Sequence, residues 1–129
     1  MPNLDLYKQN KKIRSCQRAM ERSILSLRKV QKIKSSEIRK KTNLTDALIH
    51  ALKLKWKWAG HICRCKDNRW TLLTTNWNGP KDKRRVGRPK KRWADDIAGI
   101  AGPSWQTVAL NRQTWKKMEE AYTHMRSIF

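Results

Sequence analysis

Apolar side chains that recur at steps of three and four along several separate stretches predict a mainly α protein. Two further observations refine that class. Turn-forming residues gather in one basic segment, 78–92, and seven tryptophans, all between Trp56 and Trp115, supply nearly all the aromatic area. The expected architecture is a small helical array with a basic, partly disordered loop and at most one short strand or hairpin.

The elements follow in order. Residues 1–10 are expected to form a flexible N-terminus. Over residues 11–33, Ile13, Cys16, Met20, Ile24, Leu27 and Val30 fall on one face of a predicted amphipathic helix. Lys11, Lys12, Arg14, Arg18, Arg22 and Arg28 crowd the rest of its surface, and Glu21 is its single acid. Ser35-Ser36 ahead of Glu37-Ile38 predicts a short helix over 36–42. Thr45 as N-cap, with Asp46 at the positive helix end, opens a longer helix that runs to Arg64. Its apolar stripe is Leu48, Leu52, Trp56, Ala59 and Cys63. Gly60 weakens that helix by about 1 kcal/mol relative to alanine, which points to close approach of another element beside the tryptophans.

Residues 69–76, rich in threonine and leucine, are the candidate short strand or extended segment. Asn-Gly, two prolines and two glycines mark 78–92 as a loop. A helix is expected to resume at Arg92, with Trp93, Ile97 and Ile100 on one face, and to end near Gly102-Pro103. Ser104 then caps a final helix with Trp105, Val108, Trp115, Met118, Tyr122 and Met125 as its apolar positions. The chain thus divides into a helical basic region (11–77), the basic Gly/Pro loop (78–92) and a Trp-rich helical region (93–129).

Charge narrows the function classes. Lysine and arginine total 31 against 10 acids, a formal net charge of +21. Such an excess opposes compaction unless a polyanion neutralises it, so the expected partner is nucleic acid, held mainly through phosphates. No apolar run approaches the roughly 20 residues that span a bilayer, so no transmembrane helix is expected; an anionic membrane is the weaker alternative to nucleic acid, and no membrane is assigned as partner. The stretch MPNLDLYKQNKK lacks the apolar core of a signal peptide, and three cysteines cannot make a disulfide scaffold. The expected location is intracellular and nuclear.

Lys81–Arg92 holds eight basic residues and one acid. Its centre, Gly87-Arg88-Pro89, resembles an AT-hook, in which an extended backbone delivers arginine into a narrow minor groove. Val86 stands where the best hooks have arginine. The same run suits a nuclear import receptor. Lys83, Arg84, Arg85, Arg88, Lys90, Lys91 and Arg92 are therefore the main candidate nucleic-acid contacts, with Arg14, Arg18 and Arg22 as a second patch. A solvated loop and a solvated helix face have the same composition and compete with that reading. Trp56 and Trp58 are candidates for stacking on unpaired bases, against burial of at least one of the two.

His61, Cys63 and Cys65, even with His50, lack the paired spacing of a zinc site and read as structural side chains at a helix end. Asp95 and Asp96 suggest metal-dependent phosphoryl chemistry, but neighbours on a helix diverge by about 100°. They read instead as first-turn acids paired with Arg92 or Lys91. No triad and no phosphate-binding glycine loop is present, so no catalytic residue, metal or cofactor is assigned.

Seven motifs occur in a fixed order: QRAMERSIL (Gln17–Leu25), LKWKWAGHICR (Leu54–Arg64), DNRW (Asp67–Trp70), VGRPKKRWADDI (Val86–Ile97), AGPSW (Ala101–Trp105), NRQTW (Asn111–Trp115) and EAY (Glu120–Tyr122). Together they resemble the C-terminal end of endonuclease–reverse transcriptases of non-LTR (LINE-like) retrotransposons. The family pattern runs RAMER, K-W-x-W-A-G-H-I, G-R-P-x-x-R-W-x-D-D, A-G-x-x-W and D-R-x-x-W, and the resemblance covers residues 11–123.

The resemblance implies a longer polyprotein in which this region follows the polymerase core, as a thumb-like or linker segment that helps to hold template RNA or target DNA. The polymerase's Tyr/Phe-Ala-Asp-Asp motif and the endonuclease residues are absent, so the chain alone is expected to have neither activity. Ser26 stands where the family often has glycine, Asn111 replaces an aspartate, and Arg126 falls where a closing tryptophan is common. A nucleic-acid-binding fragment, a subunit that completes a polymerase in trans, and a non-functional relic of a retroelement remain open at this point.

Overall fold

The computed structural model describes residues 4–65, 70–77 and 91–128. Among them are seven α-helices and no strand: α1 (Leu4–Ile24), α2 (Ser35–Thr42), α3 (Ala47–Arg64), α4 (Trp70–Thr75), α5 (Asp95–Ala101), α6 (Trp105–Leu110) and α7 (Arg112–Ile128). The mainly α class holds. The chain divides into two units, Met1–Lys53 with Thr123–Phe129, and Leu54–Tyr122.

In the first unit α1 begins at Leu4, inside the stretch expected to be flexible. Asn10 is buried, and its Nδ2 donates to the Arg126 carbonyl at 3.1 Å, which anchors this end of the helix. The inward line of α1 is polar: Asn10, Gln17 and Glu21 are the buried residues. The apolar stripe expected to face the core lies beside that line in solvent, with Ile13 41%, Met20 60% and Ile24 63% exposed. Hydrogen bonding explains the inversion. The Gln17 amide brackets the start of α3, donating to the Thr45 carbonyl (2.8 Å) and accepting from the Ala47 N–H (2.9 Å). Arg39 joins Glu21 (3.0 Å) to Asp46 (3.1 Å). A buried polar group with a partner is tolerated where an unpaired one is not, and side-chain periodicity cannot register such partners.

Asp46, not Thr45, caps α3: its Oδ1 accepts the N–H groups of Leu48 (3.0 Å) and Ile49 (3.1 Å). α2 matches its expected span, with Ile38 in the core. α1 stops well before residue 33. Ser26 takes φ 53°, Leu27 N–H bonds the Arg22 carbonyl (2.9 Å) and Ser26 N–H the Ser23 carbonyl (3.1 Å), the pattern of a Schellman cap. The left-handed position, which glycine enters most freely, is occupied here by serine. Leu27 and Val30 therefore lie beyond the helix, Val30 being 85% exposed.

In the second unit Trp56, Ala59 and Ile62 of α3, Ile97 of α5, Trp105 and Ala109 of α6, and Trp115 and Tyr122 of α7 are buried. Residues 70–75 form a helix in place of the expected strand. No strand among the described residues offers a ladder, whereas a helix satisfies its own backbone. The threonine hydroxyls turn back onto it as well, Thr74 to the Trp70 carbonyl (2.9 Å) and Thr75 to the Thr71 carbonyl (2.7 Å). α5 begins at Asp95, three residues later than expected, and the Asp95 carboxylate accepts the Arg92 N–H at 2.7 Å. The single final helix expected after Ser104 is two helices, and Ser104 makes no side-chain cap. Asn111 starts the second, accepting the N–H groups of Gln113 (3.1 Å) and Thr114 (3.2 Å). An asparagine performs here the capping that an aspartate would.

Candidate nucleic-acid interface

Residues from five of the seven motifs build the second unit's core. Trp56 and Trp115 stack with centroids 4.0 Å apart and planes at 11°. Each indole N–H donates to the other residue's carbonyl, Trp56 to Trp115 at 2.8 Å and Trp115 to Trp56 at 2.9 Å. Tyr122 and Trp105 flank the stack, Tyr122 at 4.8 Å from Trp56 and Trp105 at 6.2 Å from Trp115. Gly60 lies directly under Trp115: a Cβ there would sit 2.5 Å from its Nε1 and 2.7 Å from its Cδ1. The close approach expected at Gly60 is therefore present, and its partner is the Trp115 indole.

Asp96 links this core to the surface. Both its oxygens accept from Lys55 Nζ at 2.8 Å, and Oδ2 also accepts from the Tyr122 hydroxyl at 2.9 Å. Asp96 is thus paired with Lys55, not with Arg92 or Lys91. Asp95 faces the Arg92 backbone, so the two carboxylates do not converge. The pairing joins the lysine of K-W-x-W to the last aspartate of R-W-x-D-D, positions whose spacing in sequence carries no sign of contact.

The candidate contacts distribute as follows. Arg14 is half-buried and its guanidinium donates to the Ser127 carbonyl, so it has a structural partner. Arg18 is exposed and Arg22 half-buried; the three lie along one side of α1 at steps of four. Lys91 and Arg92 are exposed. Lys83, Arg84, Arg85, Arg88 and Lys90, and the AT-hook-like Gly87-Arg88-Pro89, lie outside the described residues. Trp56 is completely buried and presents no ring face to a base, which corrects its assignment as a stacking residue. Trp58 is 50% exposed, its ring 5.7 Å from that of His61. Sequence reasoning missed the exposure of Trp70, Trp77 and Trp93. The same 3.6-residue period describes buried and exposed rings alike.

The His61, Cys63 and Cys65 cluster is a one-turn pair with a bystander. Cys65 Sγ lies 3.6 Å from His61 Nε2, and Cys63 is separately half-buried. Burial pushes the Cys63 thiol pKa up, against the lowering influence of Arg64. Among the described residues no three histidine, cysteine or acidic side chains gather as metal ligands, and no helix is long and apolar enough to cross a membrane.

The chain is similar to an uncharacterised transposon-derived protein of Caenorhabditis elegans, with 32% identity over 119 residues. The similarity supports a transposon origin. The match covers 82% of this chain but only 43% of that relative's length. No family model matches the chain, and no solved structure matches it significantly.

Proposed function

We propose that this transposon-derived chain is a nucleic-acid-binding, C-terminal part of a retrotransposon reverse transcriptase, without endonuclease or polymerase activity of its own, and that it binds mainly through phosphates. The ordered motifs support the reverse-transcriptase origin, and the transposon-derived relative agrees with it at a coarser level. One observation carries the binding reading. Four of the acids have internal partners: Glu21 and Asp46 are held by Arg39, Asp95 by the Arg92 backbone, and Asp96 by Lys55 and Tyr122. The formal net charge of +21 counts every acid and still leaves a large excess of lysines and arginines, which a polyphosphate neutralises. Nuclear entry through the 81–92 basic run accords with that role.

Fluorescence anisotropy on duplex DNA at increasing salt tests the reading. Neutralising six to eight phosphates gives a slope of log K against log salt of about −5 to −7. A slope shallower than about −2 would reject phosphate-dominated binding. The loop is tested separately: Arg88→Ala should weaken A·T-rich duplex more than G·C-rich duplex, while Lys81→Ala weakens both equally. Equal losses for Arg88→Ala would leave the loop as bulk charge.

A further inference from the structure

Three of the seven tryptophans, Trp56, Trp105 and Trp115, are buried, and four are not. One of the four, Trp93, stands against the ammonium group of Lys55, and a second, Trp58, follows that lysine by three residues on α3. Lys55 Nζ lies 4.9 Å from the centroid of the Trp93 ring, and a step of three is the spacing of side-chain neighbours on a helix. Trp93 is 39% exposed and Trp58 50%. Behind them the arrangement is fixed. Lys55 is held by Asp96, Asp96 by Tyr122, and Tyr122 packs on the Trp56–Trp115 stack. Exposed cations adjoin both tryptophans in sequence: Lys57 precedes Trp58, and Lys91 and Arg92 precede Trp93.

We propose that Trp58 and Trp93, linked through Lys55, form a platform on which unpaired bases of a single-stranded nucleic acid stack. This inference rests on the nucleic-acid reading above and names the form of strand recognised. The charge pattern selects the occupant. A protein surface laid on so basic a region would have to desolvate exposed lysines and arginines, Lys57, Lys91 and Arg92 among them. A single strand offers a π-face to each ring and a phosphate to each neighbouring cation. In a duplex the base faces are already stacked on one another, so the rings add nothing to duplex affinity.

The test compares a fluorescein-labelled oligo(U) with a duplex DNA of equal length, on the full chain. Trp58→Leu and Trp93→Leu should each lower affinity for oligo(U) by about 5- to 150-fold. Both should leave duplex affinity unchanged, and Trp58→Phe, which keeps a π-face, should retain most of the oligo(U) affinity. Circular dichroism checks that each variant folds. In the unaltered chain, oligo(U) should quench the fluorescence of exposed tryptophans, a readout independent of substitution. Parental oligo(U) affinity in both leucine variants, with duplex binding intact, would overturn the platform and leave the nucleic-acid reading standing. Failure of the unaltered chain to bind either form would overturn both. A dimer in sedimentation that Trp58→Leu dissolves, without an effect on oligo(U), would assign the rings to a second copy and overturn the platform.

Discussion

The indole N–H of Trp56 donates to the backbone carbonyl of Trp115, and the indole N–H of Trp115 donates to the carbonyl of Trp56. The two rings lie nearly parallel, 4.0 Å apart, between residues 59 positions apart in the chain. Stacking and hydrogen bonding here constrain the same pair, so α3 and α7 are fixed in register as well as in distance. A stack alone tolerates sliding; a reciprocal pair of bonds does not.

Trp56→Phe keeps a ring in place but removes one bond and part of the packed area, and should lower stability by about 1–3 kcal/mol. Trp58→Phe, at a half-exposed position, should change it by less than about 0.5 kcal/mol. Urea denaturation of the two variants side by side checks the contrast, and equal effects would remove the reciprocal pair from its central place.

Gly60→Ala gains about 1 kcal/mol of helix propensity yet forces a methyl group into the Trp115 indole. That indole is stacked and bonded, so it cannot swing aside as the end of a flexible chain would. The overpacking cost of about 1–3 kcal/mol should prevail, and the melting temperature should fall. A melting temperature at or above that of the parent would show that the stack gives way.

Ser26→Gly should be stabilising. Serine at φ 53° is held in a region that glycine enters freely, and the helix cap around it is already formed. Relief of about 0.5–1 kcal/mol is expected, read as a higher denaturation midpoint, whereas Ser26→Ala should give no gain.

Glu21 is fully buried, and its Oε2 has no hydrogen-bond partner among the described residues, so its ionic partner Arg39 carries an asymmetric importance. Arg39→Ala should cost about 3–5 kcal/mol by leaving a buried carboxylate uncompensated. In the Arg39→Ala background, Glu21→Gln should recover part of that loss. A second substitution that recovers nothing would place the effect of Arg39 in its contact with Asp46 instead.

Cys63 has a raised pKa from burial, so alkylation with iodoacetamide at mildly alkaline pH should reach exposed Cys16 first and Cys63 last. The linkage has a definite sign. Below the ordinary thiol value of 9.0 the group is neutral in both states and its contribution is complete. As pH rises through that value the unfolded chain loses the proton first, so stability falls. Replacing Cys63 with alanine should flatten that alkaline slope.

The contrast between α3 and α1 shows what was legible. Along α3, Leu48, Trp56 and Ala59 are buried as the apolar stripe requires, and the glycine among them marks where an indole approaches. Along α1 the same reasoning selected Ile13, Met20 and Ile24, which are exposed, and passed over Gln17 and Glu21, which are buried. Periodicity counts every polar side chain as outward. It fails where the polar group has a partner from another element.

The sequence by itself determined the helical class, the apolar stripe of α3, the charge excess and the motif order, because each depends on residue type and local spacing. Only the tertiary structure decided which tryptophans are buried, that Asp96 belongs to Lys55, and that α1 turns a polar line inward. Each of these is a choice among chemically equivalent candidates. Several tryptophans fit one stripe, and many lysines or arginines fit one aspartate. The selection is made by which residues the packed backbone brings within about 3 Å of one another, where a hydrogen bond forms.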